Sequence, residues 1–487
     1  RENGHPHFHR TCLPVQSMTD DIFFATISDL NGRLKRKEFS AVELVRAFAE
    51  RLETMGPRYN ALALPLKEIA LRRAKDVDKD LKIQRYRGPL QGIPYGAKDL
   101  LSVAGQITTW GARPFAAQIL DETATVIEKL DKTGSVLVGK LSMVELAGGP
   151  SYRMASASLF GPGLNPWDRT RWSGGSSSGS GSAVAAGLVP FALGSETSGS
   201  ILTPAAYCGV TGLRPTYGLV SRHGAMALSW TMDKIGPLCR SAEDCGLVLQ
   251  VIAGRDAKDP GSAGKSFYYT PQYARKLTDL KVGFAPADLD WAEPNARPVF
   301  AAAMQTIREI GMPMSEAKLP EFIYGPVVST VIGCEAASIF ETFITSGKVD
   351  QLADAKQIEG LKAGLEIPAK DYLKAMRIRS LIMAKFRQLF ANIDVLVAPA
   401  RYGIATKISE PLDAAPDRPR PAVTGMNALI AAGNLVGLPA LCIPCGFVDG
   451  MPLALQLVGP AFSENSLLAI GREFQNRTDW HKKRPPA

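Results

Sequence analysis

Two hydroxyl-rich loops carry the densest chemistry in the chain. Ser173-Gly-Gly-Ser-Ser-Ser-Gly-Ser-Gly-Ser182 leads into a small-residue segment, Ala183–Gly187, and an apolar run, Leu188–Leu193. A second loop, Gly194-Ser-Glu-Thr-Ser-Gly-Ser200, follows at once. By composition alone a Gly/Ser tract is a flexible linker. A linker, however, is not followed this closely by core. Two serine-rich loops bracketing one helix–strand unit are brought together in space, where serine hydroxyls can act on a substrate. The chain has 5 histidines, three of them at positions 5, 7 and 9, leaving His223 and His481 for the rest. Multi-histidine metal centres and a Ser-His-Asp triad are therefore disfavoured, and proton transfer must fall to other side chains.

The elements that must position these loops read as α/β. Helical periodicity is clear over Ala41–Glu53, with Ser40 and Glu43 forming a capping box. Further helices are expected over Thr123–Lys132 and Pro298–Ile310, and buried strands over Ser135–Val138 and Ile393–Ala398. Helices alternating with short apolar strands predict a single large α/β domain whose central mixed, mostly parallel β-sheet is covered by helices on both faces. The expected boundaries are an N-terminal tail over 1–17, one domain over 18–480 and a C-terminal tail over 481–487.

Composition narrows the partners. Hydrophobic residues make up 46% and charged residues 21% of the 487, as in a globular chain. The formal net charge of +9 sits mainly in residues 1–90 and 472–487. Arg33–Lys37, the nearest thing to a basic stripe, lacks interleaved aromatics and reads as a solvated helix end, so no nucleic-acid partner is expected. Seven cysteines, odd in number and dispersed, indicate free thiols in a reducing, cytoplasmic setting; export stays open because the chain starts at Arg1. Cys442-Ile-Pro-Cys445 lies in an apolar run and reads as buried thiols rather than a zinc or redox site. His5, His7 and His9 read as part of a mobile tail, so no metal and no cofactor are expected. Met426–Val448 is uncharged and long enough to span a bilayer, but Pro439, Pro444, Gly433 and Gly437 break it into strands and turns, and no membrane partner is expected. Gly134–Lys140 imitates a phosphate loop, yet Leu141 stands where the Ser or Thr belongs.

Gly92-Ile-Pro-Tyr-Gly-Ala-Lys98-Asp99, the Gly174-Gly175-Ser176 tract and the Gly199-Ser200-Ile201 loop together resemble the amidase signature family. Ser200 follows Ser176 by 24 residues, and Asn165–Asp168, Gly209–Pro215, Asp233–Pro237, Asn434–Pro439 and Pro452–Gln456 extend the likeness over residues 20 to 475. The resemblance implies a Ser–cis-Ser–Lys triad: Ser200 as nucleophile, Ser176 as relay, Lys98 as base. It implies an oxyanion hole from the backbone N–H groups of Thr197, Ser198, Gly199 and Ser200, with Gly174, Gly175 and Ser177 in support. Such a lysine works only when neutral, which demands burial. Asp99 is expected to order the lysine loop and His223 to sit at a rim. Tyr152, Trp230 and Met232 are candidates for an acyl pocket.

Two departures bear on the loop. Ser198 replaces the family's usual glycine, and Leu202 replaces an arginine, so Glu196 needs another partner. Recognising glutamine's α-amine takes a carboxylate, but Asn427 stands at the expected place, and Lys356–Leu365 holds no arginine for the α-carboxylate. The expectation is therefore a stand-alone amidase, monomer or homodimer. Its substrate would be a small, neutral, hydrophobic or aromatic amide, with esters and carbamates also open to it through an acyl-enzyme. The alternatives are a glutaminase A-type subunit of a tRNA-dependent complex, and a non-catalytic scaffold that keeps the fold.

Overall fold

The computed structural model describes residues 20–271, 275–414 and 425–486. Positions 1–19, including the expected tail and its three histidines, lie outside the described residues. Eleven strands form one sheet: β1 (Leu62–Pro65), β2 (Pro94–Lys98), β3 (Val136–Leu141), β4 (Phe191–Glu196), β5 (Thr211–Arg214), β6 (Lys234–Cys239), β7 (Val282–Phe284), β8 (Met314–Glu316), β9 (Val395–Pro399), β10 (Ala440–Val448) and β11 (Met451–Val458). Their order across the sheet is β1-β3-β2-β4-β6-β5-β10-β11-β9-β7-β8.

The sheet is mixed, as expected, but "mostly parallel" needs correction. Parallel ladders join β2 to β3 and β4, and β7 to β8 and β9. The other six are antiparallel, including the whole central run from β4 through β6, β5, β10 and β11 to β9. For β10 and β11 the reason is local. Val448 pairs with Met451 across Asp449-Gly450, both at positive φ (50° and 75°), which is the two-residue turn that closes an antiparallel hairpin.

The central strands are buried along their whole length, so they show apolar runs instead of alternation. The expected helices are found at Ala41–Met55, with both halves of the Ser40/Glu43 capping box made, at Thr125–Lys132 and at Arg297–Glu309. Arg240 donates to the carbonyls of His481 and Lys483, so this part of the expected C-terminal tail is held against the domain. Cys442 and Cys445 are buried free thiols in β10. Met426–Val448 contains the helix Leu429–Leu435 and β10. Among the described residues no helix is long and apolar enough to cross a membrane.

One interior ion pair ties the sheet to the lysine loop. Lys140 on β3 reaches Asp99 at 2.8 Å, with both side chains essentially inaccessible. Asp99 also accepts from the Thr109 backbone and hydroxyl, and its own N–H bonds to Leu141 O. The lysine of the rejected phosphate loop is thus a core cation. Removing one member of a buried pair leaves an uncompensated charge. Asp99→Asn is expected to cost about 3–5 kcal/mol in chemical denaturation, and Asp99→Leu with Lys140→Met to recover much of that loss.

Candidate functional site

Lys98 ends β2 and points into the interior, fully buried. Its Nζ lies 2.7 Å from Ser176 Oγ and 2.9 Å from Ser195 Oγ. Burial brings its pKa down to about 7, although the carboxylates of Asp233 and Glu196 pull the other way. Among the described residues no carboxylate touches it directly, so hydroxyls solvate an amine that loses its charge near neutrality. Ser176 follows the cis Gly175–Ser176 peptide, and helix Ser178–Ala185 begins two residues later. The Gly/Ser tract is thus a buried helix entry, not a linker.

The second loop comes off the end of β4 beside β2. The Ser177 N–H donates to Ser200 O at 3.3 Å, joining the two loops. Of Lys98, Ser176 and Ser200, only Ser200 is partly exposed, so a substrate can reach it. Ser200 precedes helix Leu202–Cys208, and among the described residues nothing accepts the N–H groups of Ser198, Gly199 or Ser200. Gly199 takes the left-handed conformation (φ 101°) that glycine permits. Ser198 does not have a positive φ, so the missing family glycine costs the loop nothing there.

Glu196 has found its partner. Its carboxylate, fully buried, accepts from the N–H groups of Ile201 (2.8 Å) and Leu202 (3.0 Å). Arg214 Nη1 and Asn434 Nδ2 hold its other oxygen at 2.8 and 2.7 Å. Arg214 on β5 therefore supplies the cation that Leu202 lacks. On the loop's other side, Thr197 Oγ1 donates to Asp233 at 2.6 Å, and Asp233 accepts from the N–H groups of Leu228 and Ser229.

A cavity of about 280 Å³ is lined among others by Ser195, whose hydroxyl meets Lys98 Nζ, and by Thr197, Asp233, Leu228 and Trp230. Trp230 is 43% exposed at its mouth. His223 stands at the rim, 3.3 Å from Glu122. Met232 does not line this cavity; it is fully buried in the core. Tyr152 lies apart from it, edge-on to Trp172 (centroids 6.1 Å), with its hydroxyl 3.1 Å from where a Cβ on Gly175 would sit. Ser177 bonds the Ser195 backbone in both directions rather than Ser176. Ser195 was missed from sequence; its place in the second hydroxyl loop, Gly194–Ser200, was the available signal. Among the described residues no cluster of His, Cys, Asp and Glu could hold a metal ion.

The family model described as Amidase matches residues 43–468. The chain belongs to the Amidase family. It is a hydrolase of carbon–nitrogen amide bonds built on an α/β fold. The A subunit of glutamyl-tRNA(Gln) amidotransferase from Synechococcus sp. (strain JA-2-3B'a(2-13)) is 35% identical, across 95% of this chain and 94% of that protein. Its counterpart from Methylococcus capsulatus is 35% identical, across 94% of this chain and 98% of that one. Among solved structures, the peptide amidase of Stenotrophomonas maltophilia superposes with a TM-score of 0.81 at 29% identity, covering 95% of this chain and 98% of its own.

These relatives overturn two expectations. A stand-alone amidase, monomeric or homodimeric, and the absence of a nucleic-acid partner were expected, yet the end-to-end relatives are named as the A subunit of a tRNA amidotransferase. The physical reason is one of scale. Asn427 is a single exposed residue ahead of helix Leu429–Leu435, whereas the likeness extends through the buried sheet and both loops. Nor does the lack of basic stripes exclude RNA, since one chain of a complex can meet it through a partner.

Proposed function

We propose that this chain is the ammonia-releasing A-type subunit of a tRNA-dependent amidotransferase, hydrolysing the side-chain amide of glutamine. The observation that carries the reading is the buried Lys98 held by Ser176 Oγ at 2.7 Å beneath the loop of Ser200, in a chain 35% identical to such subunits from end to end. Neutral Lys98 takes the Ser176 proton while Ser176 takes that of Ser200. The Ser200 Oγ–carbon bond forms, and the carbonyl oxygen becomes an oxyanion facing the N–H groups of Thr197, Ser198, Gly199 and Ser200. Such donors are worth about 10²–10³ in rate each. Collapse breaks the C–N bond, and the proton returns through Ser176 to the leaving nitrogen as ammonia. Water, deprotonated by the same relay, then frees the acid from Ser200.

Purification of the tagged chain from its native host tests the assignment. Recovery of a tRNA-binding protein partner, with ammonia release from glutamine that rises in the complex, is the expected result. Glutamine left intact by both the chain and the complex would sink it. Ser200→Ala is expected to lose both ammonia release and labelling by a fluorophosphonate.

A further inference from the structure

We propose that Arg401 anchors a carboxylate on the acyl part of the substrate, so that the site selects primary amides whose acid side is negatively charged. This rests on the ammonia-releasing reading above and names a residue that would choose its substrate. The expected position for such a cation, Lys356–Leu365, holds no arginine.

Arg401 follows the end of β9 by two residues and reaches the loop of Ser200 from across the sheet. Its Nη2 donates to Thr203 Oγ1 and lies 3.8 Å from where a Cβ on Gly199 would be. Its guanidinium carbon lies 5.9 Å from the centroid of the Tyr207 ring. A group beside residue 199 can meet a carboxylate only a few bonds from the carbonyl that Ser200 attacks.

Among the described residues Arg401 has no counter-ion, and unlike Arg240 and Arg379, which also lack one but donate to two or more backbone or hydroxyl oxygens, it has a single acceptor, Thr203 Oγ1. Lys140, Arg214 and Arg222 each hold a carboxylate, at 2.7–2.8 Å. Arg401 holds none among the described residues, and none of them meets its buried Nε. A guanidinium offers five donors in a planar fork that suits two carboxylate oxygens, and Thr203 uses only one. The side chain is partly exposed, so a ligand can reach it. Tyr152, near the cis peptide, feels the same charge: burial raises its phenol pKa and Arg401 opposes the rise.

The test pairs turnover with binding. Glutaramate and valeramide are primary amides of similar length, and only the first carries a carboxylate. In Arg401→Met the glutaramate-to-valeramide ratio of kcat/KM is expected to fall about tenfold or more, mainly through the glutaramate KM, with Arg401→Lys keeping part of the preference. Calorimetric binding of glutarate should weaken in parallel. Thr203→Val removes the loop contact without the cation and is expected to keep the ratio. An unmoved ratio in Arg401→Met, equal glutarate binding, or an equal drop in Thr203→Val would overturn the assignment. Wild-type chain that binds glutarate through Arg401 yet releases no ammonia from glutamine would keep this site and sink the amidotransferase reading instead.

Discussion

Lys98→Ala is expected to lower kcat/KM for glutamine by roughly 10⁴-fold, with the protein still folded. The size follows from the proposed division of labour: without the amine, nothing takes the Ser176 proton, and Ser200 is left a neutral hydroxyl. The wild-type pH profile carries the finer test. In the proposed mechanism the base is the neutral amine, and burial lowers the Lys98 pKa to about 7. Activity should therefore rise as pH increases through about 7 and level off above it, since the protonated form dominates below. An ordinary exposed lysine would put that limb near 10.4. A profile with its acid limb near 10, or near 4 as for a carboxylate base, would refute Lys98 as the base. Ser195→Ala removes the second hydroxyl on Nζ and is expected to shift the limb measurably.

A stability loss as large as that at Asp99 is expected at Arg214. Replacing it by methionine leaves Glu196 charged in a fully inaccessible site and should cost about 3–5 kcal/mol in denaturant unfolding. The change should also lower turnover, because Glu196 holds the Ile201 and Leu202 N–H groups just past Ser200. Burial alone would raise the Glu196 pKa, but Arg214 and Asn434 outweigh it and bring it to about 2. The sign follows from linkage: a carboxylate depressed in the folded state contributes stability above its unfolded pKa near 4.5 and loses it as pH falls towards 2. Wild-type stability should thus drop across that window, and the drop should be smaller in a Glu196→Gln, Arg214→Met double variant. A double variant with the same acid slope as wild type would remove Glu196 as the source.

Much of this was legible one residue at a time. The capping box at Ser40 and Glu43 and the buried runs of β3 and β9 are local patterns, and local physics settles them. Lys98, Ser176 and Ser200 were legible as motifs, with spacing that survives any packing. Strand direction was not, because an apolar run does not say which way its neighbour points. Ser195, Arg214 and Asp233 sat in segments whose types were clear but whose partners were not. Met232 and Trp230, two residues apart, looked alike as apolar pocket candidates; one is core and the other stands at the cavity mouth.

Residue types and their spacing narrowed the chemistry: two serine loops and few histidines disfavour imidazole-dependent routes, while the roles proposed for Lys98, Ser176 and Ser200 come from the resemblance to the amidase signature family. How that chemistry is held depends on the assembled fold. Packing buried Lys98 among hydroxyls, set Arg214 against Glu196 from a strand 18 positions along the chain, and carried Arg401 to the loop it borders. The division has a physical cause. Nucleophilicity and charge belong to a residue type, whereas a shifted pKa or a counter-ion belongs to the surroundings that the fold assembles.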